Sequence, residues 1–306
     1  MNPNVGYVLG ERAWWALGEL EKWGMPMRWD DGDYHWVRNG WFGVKTMIGV
    51  HWLDIKPALA KKARQSGVKI LERTMLVDLL TDNGRIAGAT AVNTRTGEFI
   101  VIKAKTVLLC TGNLARNYSP ETPQFYRYKF RYHGAPGAIS GDGYAAAYKI
   151  GAELANMDIG TSWNYRIRDD ITFPFGCIDH GDGIRGQWMN YRGEPIPFPT
   201  AGIYDEIEKR GLDPIYCTIE HFPDDYHKRN EISIADERFI SLKFGEDRGF
   251  DPKKHRYELM ENRKFGFYSL AGFYTDESFE TSVKGLFAAG DSVCGLGGCG
   301  AAVISG

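Results

Sequence analysis

A chain of 306 residues, 43% hydrophobic and 25% charged, has ordinary globular composition and length enough for one large domain or two modest ones. Its formal net charge of −2 removes the electrostatic case for nucleic acid, or an anionic membrane surface, as the main partner. Five cysteines with no Cys-x-x-Cys pair argue against a zinc site, an iron–sulfur cluster or a disulfide framework.

Along the chain, apolar residues at Trp14, Leu17, Leu20 and Trp23 predict a helix over 11–23, and Gly24 stands where a C-cap glycine belongs. Trp14-Trp15, Trp36, Trp41-Phe42 and Trp52 make this region rich in large aromatics. Core or subunit-interface packing is their plainer account, ahead of stacking in a substrate pocket. Asp30-Asp31-Gly32-Asp33 reads as a turn. A second helix is predicted over 52–65, with Lys61, Lys62 and Arg64 in its last turns, where the helix dipole favours cations.

Strands are then predicted at 68–72, 74–80, 86–93 and 98–102, separated by turns such as Asp82-Asn83-Gly84 and Arg95-Thr96-Gly97. The run Thr106-Val107-Leu108-Leu109-Cys110 is almost continuously apolar. It reads as a buried parallel strand with a ligand-facing turn, Thr111-Gly112, at its carboxyl end. Gly141-Asp142-Gly143 opens a helix predicted over 144–153. From 155 to about 263, prolines, turns and polar aromatics predict a second, irregular α+β lobe. Strand-and-turn chemistry returns at 266–275 and 283–289, followed by a glycine-rich turn and a helix beginning near Gly300.

Three stretches carry candidate chemistry. Thr111-Gly112 after a buried strand lets backbone approach a ligand closely. Gly141-Asp142-Gly143 frees several N–H groups at a helix start, although a plain capped helix is the better account of this motif taken singly. In Gly285-Leu-Phe-Ala-Ala-Gly290-Asp291, followed by Gly295, Gly298 and Gly300, small residues let a planar group lie against backbone. The Asp291 carboxylate can accept hydrogen bonds from sugar-alcohol hydroxyls, and the helix start beyond can stabilise negative charge.

The order of meander, V-L-L-C-T-G, G-D-G-Y-A-A-A-Y-K-I-G-A-E-L and T-S-V-K-G-L-F-A-A-G-D resembles the flavoprotein subunits of succinate dehydrogenase, fumarate reductase and adenylylsulfate reductase. The resemblance is specific over about 52–157 and from 266 onward, and residues 19–63 look most like the adenylylsulfate reductase branch. It implies an α/β fold with an inserted α+β lobe. That is an incomplete Rossmann-like FAD-binding domain with a three-stranded meander, plus a capping or substrate lobe. The corresponding division is 1–157 and 264–306 for the FAD-binding domain and 158–263 for the lobe.

The resemblance further implies that Leu76 and Val77 present backbone to the adenine and that Thr111 and Gly112 touch FAD near its pyrophosphate. Gly141, Asp142 and Gly143 would sit by the flavin, and Gly290-Asp291 would bind the ribityl chain. Gly298, Gly300 and Ala301 would lie at the helix start beside the isoalloxazine. Gly183-Ile-Arg185-Gly186 with Asn190-Tyr-Arg-Gly-Glu194 resembles the family stretch whose arginine delivers a proton beside the flavin. A guanidinium there can also clamp a carboxylate as a bidentate fork. Tyr268 stands where the dicarboxylate enzymes carry a histidine, and Ala301 falls near their second substrate arginine, so succinate or fumarate is not the expected substrate. His180, with His133, His221 and Tyr268, completes the acid–base candidates.

No G-x-G-x-x-G occurs, and the family's nucleotide-binding βαβ would precede residue 1. The last cofactor helix would continue past Gly306. The expectation is therefore an incomplete sequence holding part of the cofactor site. The predicted function is an FAD-dependent oxidoreductase passing electrons between a small-molecule substrate and a redox partner. With no cluster-binding cysteines in the chain, an iron–sulfur or ferredoxin-like subunit would carry any one-electron relay. Two alternatives stay open at this point: a stand-alone flavin dehydrogenase or reductase of a ketone, enoate or ring substrate, and a non-catalytic scaffold. Free thiols, the lack of a signal peptide and the lack of a membrane-spanning run predict a cytoplasmic protein, with membrane association only through a partner.

Overall fold

The computed structural model describes residues 2–28, 32–34, 36–39, 44–48, 52–112, 140–157, 165–167, 186–197, 206–207, 209–224, 247, 249, 251, 253–261 and 271–295. Its elements in chain order are α1 (Pro3–Lys22), β1 (Trp36–Asn39), β2 (Val44–Ile48), α2 (Trp52–Gln65), β3 (Thr74–Asp82), β4 (Arg85–Asn93), β5 (Phe99–Lys103) and β6 (Val107–Leu109). Then follow α3 (Asp142–Lys149), β7 (Leu154–Ala155), β8 (Tyr165–Ile167), β9 (Gln187–Met189), β10 (Ile215–Thr218), β11 (Tyr257–Glu261), β12 (Gly272–Phe273) and β13 (Leu286–Ala288), with a 3-10 turn over Gly290–Ser292. The result is a mixed α/β architecture of small sheets. The chain divides into two compact units, one of Met1–Leu20, Val68–Ser162 and Arg263–Gly306, the other of Glu21–Gly67 and Trp163–Asn262.

In the first unit, β3, β4 and β5 form an antiparallel meander in that order. The turn between β3 and β4 is Asn83-Gly84, with φ of 49° and 76°, the positive values that a tight hairpin needs. β6 and β13 pair in parallel, and β7 pairs antiparallel with β12. The core beneath them gathers Leu79, Ile86, Leu109, Tyr144, Ala147, Phe273, Leu286 and Val293, together with Val5 from α1. Phe273 and Leu286 are fully buried; each such side chain stabilises the fold by about 1.5–3 kcal/mol relative to exposure.

The second unit holds the β1–β2 hairpin and a four-stranded antiparallel sheet in the order β8-β11-β10-β9. Ile215, Cys217 and Tyr257 are fully buried on that sheet, and Ile219 beside it.

Several expectations are corrected. Residues 68–72 form no strand: Val68, Ile70 and Leu71 are exposed, and the segment breaks at Arg73, whose φ is 55°. A run of strand-forming residues becomes a strand only where a neighbouring edge accepts its hydrogen bonds, and among the described residues no strand pairs with this segment. α1 begins at Pro3 rather than near residue 11, and α3 runs over Asp142–Lys149, starting at the acidic residue and ending before Gly151. Leu108 is half exposed, because among the described residues β6 pairs only with β13. Trp14 and Trp15 lie on the exposed side of α1 and not in a core. The bounds predicted for the second helix match α2.

Candidate functional site

The site is built where β6 and β13 end together. Val107, Leu108 and Leu109 lie opposite Leu286, Phe287 and Ala288, and the last ladder bond runs from the Ala289 N–H to the Leu109 carbonyl at 3.0 Å. Parallel strands deliver their carboxyl ends to the same side, which is where open α/β sheets bind ligands. Beyond this bond the backbone turns at Gly112 (φ 77°) and Gly290 (φ 66°), in the left-handed region that glycine enters without a Cβ penalty. α3 starts at the same place. Gly141 is its N-cap residue, Asp142 lies in its first turn and accepts a hydrogen bond from the Ser140 hydroxyl, and Gly143 packs directly on Thr111.

Three stretches far apart in sequence therefore meet: Thr111-Gly112, Gly141-Asp142-Gly143 and Gly290-Asp291. Their link is Tyr144, which the sequence reading passed over. Its hydroxyl lies 3.1 Å from the Gly112 carbonyl, 3.2 Å from that of Ser292 and 3.3 Å from that of Asp291. The Ser292 hydroxyl, also missed, donates to the Gly112 carbonyl at 3.0 Å. The Tyr144 ring stacks on Phe273, centroids 4.7 Å apart and planes 5° from parallel. Burial pushes the phenol well above its ordinary range; the hydrogen bond with Ser292 acts against this and the nearby Asp291 adds to it. A signal existed for the residue: a tyrosine on the apolar face of a short helix, among Ala146 and Ala147, must find a partner for its hydroxyl.

Leu76 and Val77 lie on β3 at a β-bulge. Leu76 pairs with Ala91 and Asp78 with Thr90, so Val77 falls between two register positions. A bulged residue steps out of the ladder and its backbone can serve another ligand. Asp78, the next residue, takes an ion pair from Lys149 on α3 at 2.8 Å.

The predicted residues Arg185, Tyr268, His180, Gly298, Gly300 and Ala301 lie outside the described residues, as does His133. His221 is exposed and meets Phe222 edge-on. The Asn190–Glu194 half of the arginine-bearing stretch is described, and it closes on itself. The buried Asn190 accepts N–H bonds from Arg192 and Glu194 and donates to the Glu194 carboxylate at 2.7 Å.

A family model described as FAD binding domain matches residues 3–161. The fumarate reductase flavoprotein subunit of Serratia sp. (strain ATCC 39006) is 27% identical over 319 residues, covering 92% of this chain and 49% of that protein. The L-aspartate oxidase of Yersinia pestis is 26% identical over 292 residues, covering 87% of this chain and 50% of that protein. Among solved structures, adenylylsulfate reductase from Archaeoglobus fulgidus superposes with a TM-score of 0.69 at 21% identity, over 97% of this chain and 54% of that one, a likeness of fold. The chain thus spans about half the length of the curated relatives it matches.

Proposed function

The chain belongs to the FAD binding domain family, and from that premise we propose that it is part of an FAD-dependent oxidoreductase that passes electrons between a small-molecule substrate and a redox partner. The observation that carries this is the convergence of Thr111-Gly112, Gly141-Asp142-Gly143 and Gly290-Asp291 on one side of a parallel strand pair, tied by Tyr144. The donor set suits FAD. Three left-handed glycines, Gly112, Gly141 and Gly290, give close access to backbone, and a carboxylate at Asp291 suits a polyol.

In this reading Leu76 and Val77 bind the adenine through the bulged backbone, and Thr111 and Gly112 lie by the pyrophosphate. Gly141, Asp142 and Gly143 flank the flavin, Gly290-Asp291 holds the ribityl chain, and Gly298, Gly300 and Ala301 border the isoalloxazine. FAD, once bound, supplies acceptance of a hydride or electron pair and its onward passage. Arg185 clamps and protonates the substrate, with Tyr268 and His180 as the remaining proton-handling groups. The Rossmann-like FAD-binding domain occupies 1–157 and 264–306, and a capping or substrate lobe occupies 158–263. The redox partner is an iron–sulfur or ferredoxin-like subunit. Among the described residues no helix is long and apolar enough to cross a membrane, and we place the protein in the cytoplasm, where any membrane association is made by its partner.

The test is an absorbance spectrum of the purified protein before and after incubation with FAD, followed by substrate screening. Flavin bands that bleach on reduction support the reading, and an Arg185→Lys variant should then lose most substrate turnover while keeping its flavin. Full-length protein that stays colourless after FAD is added would falsify it. Co-purification with an iron-containing subunit tests the partner.

A further inference from the structure

We propose that Tyr144, acting with Ser292, is a positioning residue for the cofactor: its hydroxyl sets the spacing between the two strand exits assigned to adjoining parts of FAD, the pyrophosphate and the ribityl chain, without touching FAD itself. The inference rests on the FAD reading above and adds a residue to it.

The need for such a residue follows from where the ladder stops. β6 and β13 hold one another only as far as the bond from Ala289 N–H to the Leu109 carbonyl. The residues assigned to the cofactor, Thr111-Gly112 and Gly290-Asp291, lie past it, beyond the last ladder bond between the two strands. Two hydroxyls span the gap instead. Ser292 donates across it to the Gly112 carbonyl, and Tyr144 reaches the carbonyls of Gly112, Asp291 and Ser292 at 3.1, 3.3 and 3.2 Å.

A phenol has one proton and cannot serve three carbonyls at once. The Gly112 carbonyl has two lone pairs, so it can accept from Ser292 and Tyr144 together, and it is the nearest of the three to the phenol. The position of that donor is fixed twice over. The ring is held flat against Phe273, whose own carbonyl is bonded by the Cys294 N–H at 2.9 Å. The helix bearing Tyr144 is seated by Gly143 against Thr111. Burial favours the protonated phenol, so the group serves as a fixed donor and not as an acid or base. It is a small motion at this point that would matter: the two exits are assigned to the pyrophosphate and to the ribityl chain, and a change in their separation misaligns both contacts together.

Tyr144→Phe keeps the ring stack and removes only the hydroxyl, and Ser292→Ala removes the second hydroxyl. The experiment is a titration of FAD-free protein with FAD, followed by flavin fluorescence, with the visible circular dichroism of the bound flavin and the melting temperature of the FAD-free protein recorded alongside. All titrations are run well below the melting point. Tyr144→Phe should weaken FAD binding about tenfold and alter the flavin dichroism, and Ser292→Ala should do the same to a smaller degree. A lowered melting temperature with unchanged FAD affinity and unchanged dichroism makes the hydroxyl purely structural and overturns the inference. If Tyr144→Phe does not fold, Ser292→Ala decides: weakened FAD binding supports the clasp and unaltered binding overturns it. A wild-type protein that takes up no FAD overturns the FAD reading and this inference with it, an outcome distinct from a wild type that binds while the variants bind equally well.

Discussion

A Cβ placed on Gly143 would lie 2.3 Å from the Thr111 Oγ1, 2.9 Å from its Cγ2 and 3.0 Å from its Cβ. Helix α3 therefore seats on the exit of β6 through a missing side chain. In a helix interior, alanine is favoured over glycine by up to ~1 kcal/mol, but overpacking a close contact costs about 1–3 kcal/mol, so the clash wins. Gly143→Ala should lower stability in a denaturant titration, and adding Thr111→Ala, which removes Oγ1 and Cγ2, should restore most of the loss. A double variant no more stable than Gly143→Ala alone would show that the strain lies elsewhere.

Gly272 is a stricter case. Its missing Cβ would sit 2.6 Å from the Cys294 nitrogen and the Ser292 oxygen and 2.8 Å from the Val293 carbonyl carbon, all of them backbone atoms. No rotamer change relieves this. Gly272→Ala must push β12 away from the segment after the 3-10 turn and stretch the bond from the Cys294 N–H to the Phe273 carbonyl. The expected cost is at the top of the overpacking range, ~3 kcal/mol, exceeding that of Gly143→Ala in the same assay. Because Ser292 moves with the segment, retained FAD should fall in the same preparation.

The glycine turns of the site were legible because their chemistry is local: a buried apolar run that ends in Thr-Gly or Ala-Ala-Gly-Asp needs only its own residues to announce a turn. The α2 bounds were legible for the same reason, through the cations Lys61, Lys62 and Arg64 that close its last turns. What could not be read was whatever depends on a distant neighbour. The stretch over 68–72 carries the strand-forming Val68 and Ile70, yet its fate is decided by whether an edge pairs with it. Tyr144 looks like one more amphipathic helix residue until Gly112, Asp291 and Ser292, 32, 147 and 148 positions away, are brought to its hydroxyl. The stretch from Asn190 to Glu194 was read by resemblance to a catalytic motif. Its packing shows a second, local duty that resemblance does not reveal, the closing of its own turn.

Glu280 supports β13 from outside its ladder. Its carboxylate accepts hydrogen bonds from the Lys284 ammonium at 2.6 Å and from the Gly285 N–H at 2.7 Å, and these two, the lysine first, hold its pKa below the usual carboxylate value. A depressed carboxylate pKa stabilises the fold above the unfolded-state value, and that stability is lost as the pH falls through the folded-state value. Glu280→Gln should therefore be less stable than wild type at neutral pH, and the difference should shrink on acidification through the carboxylate range. Melting temperatures of the two proteins from neutral pH downward check this; a constant gap at all pH values would remove the charge from the account.

Asn190 is buried, with its Oδ1 accepting from the N–H groups of Arg192 (2.9 Å) and Glu194 (3.0 Å) and its Nδ2 donating to the Glu194 Oε2 at 2.7 Å. Its own carbonyl accepts from Arg256 at 3.2 Å, so the turn is joined to the start of β11 through one residue. Asn190→Asp is nearly isosteric but replaces the donor with a second carboxylate oxygen facing Glu194. Two carboxylates at that separation cannot both ionise without repulsion, and the pair retains a proton to higher pH than either would alone. Stability at neutral pH should fall by ~1–3 kcal/mol, the cost of turning a buried hydrogen bond into an unmet one. The sign with pH is opposite to that of Glu280. The shared proton raises the folded-state pKa, so stability is recovered as the pH falls and is lost as it rises through that value. Asn190→Ala, which loses the same bonds without adding charge, should be destabilised with no such recovery. Urea melts of both variants at neutral and mildly acidic pH separate the two cases, and equal pH profiles would rule out the carboxylate repulsion.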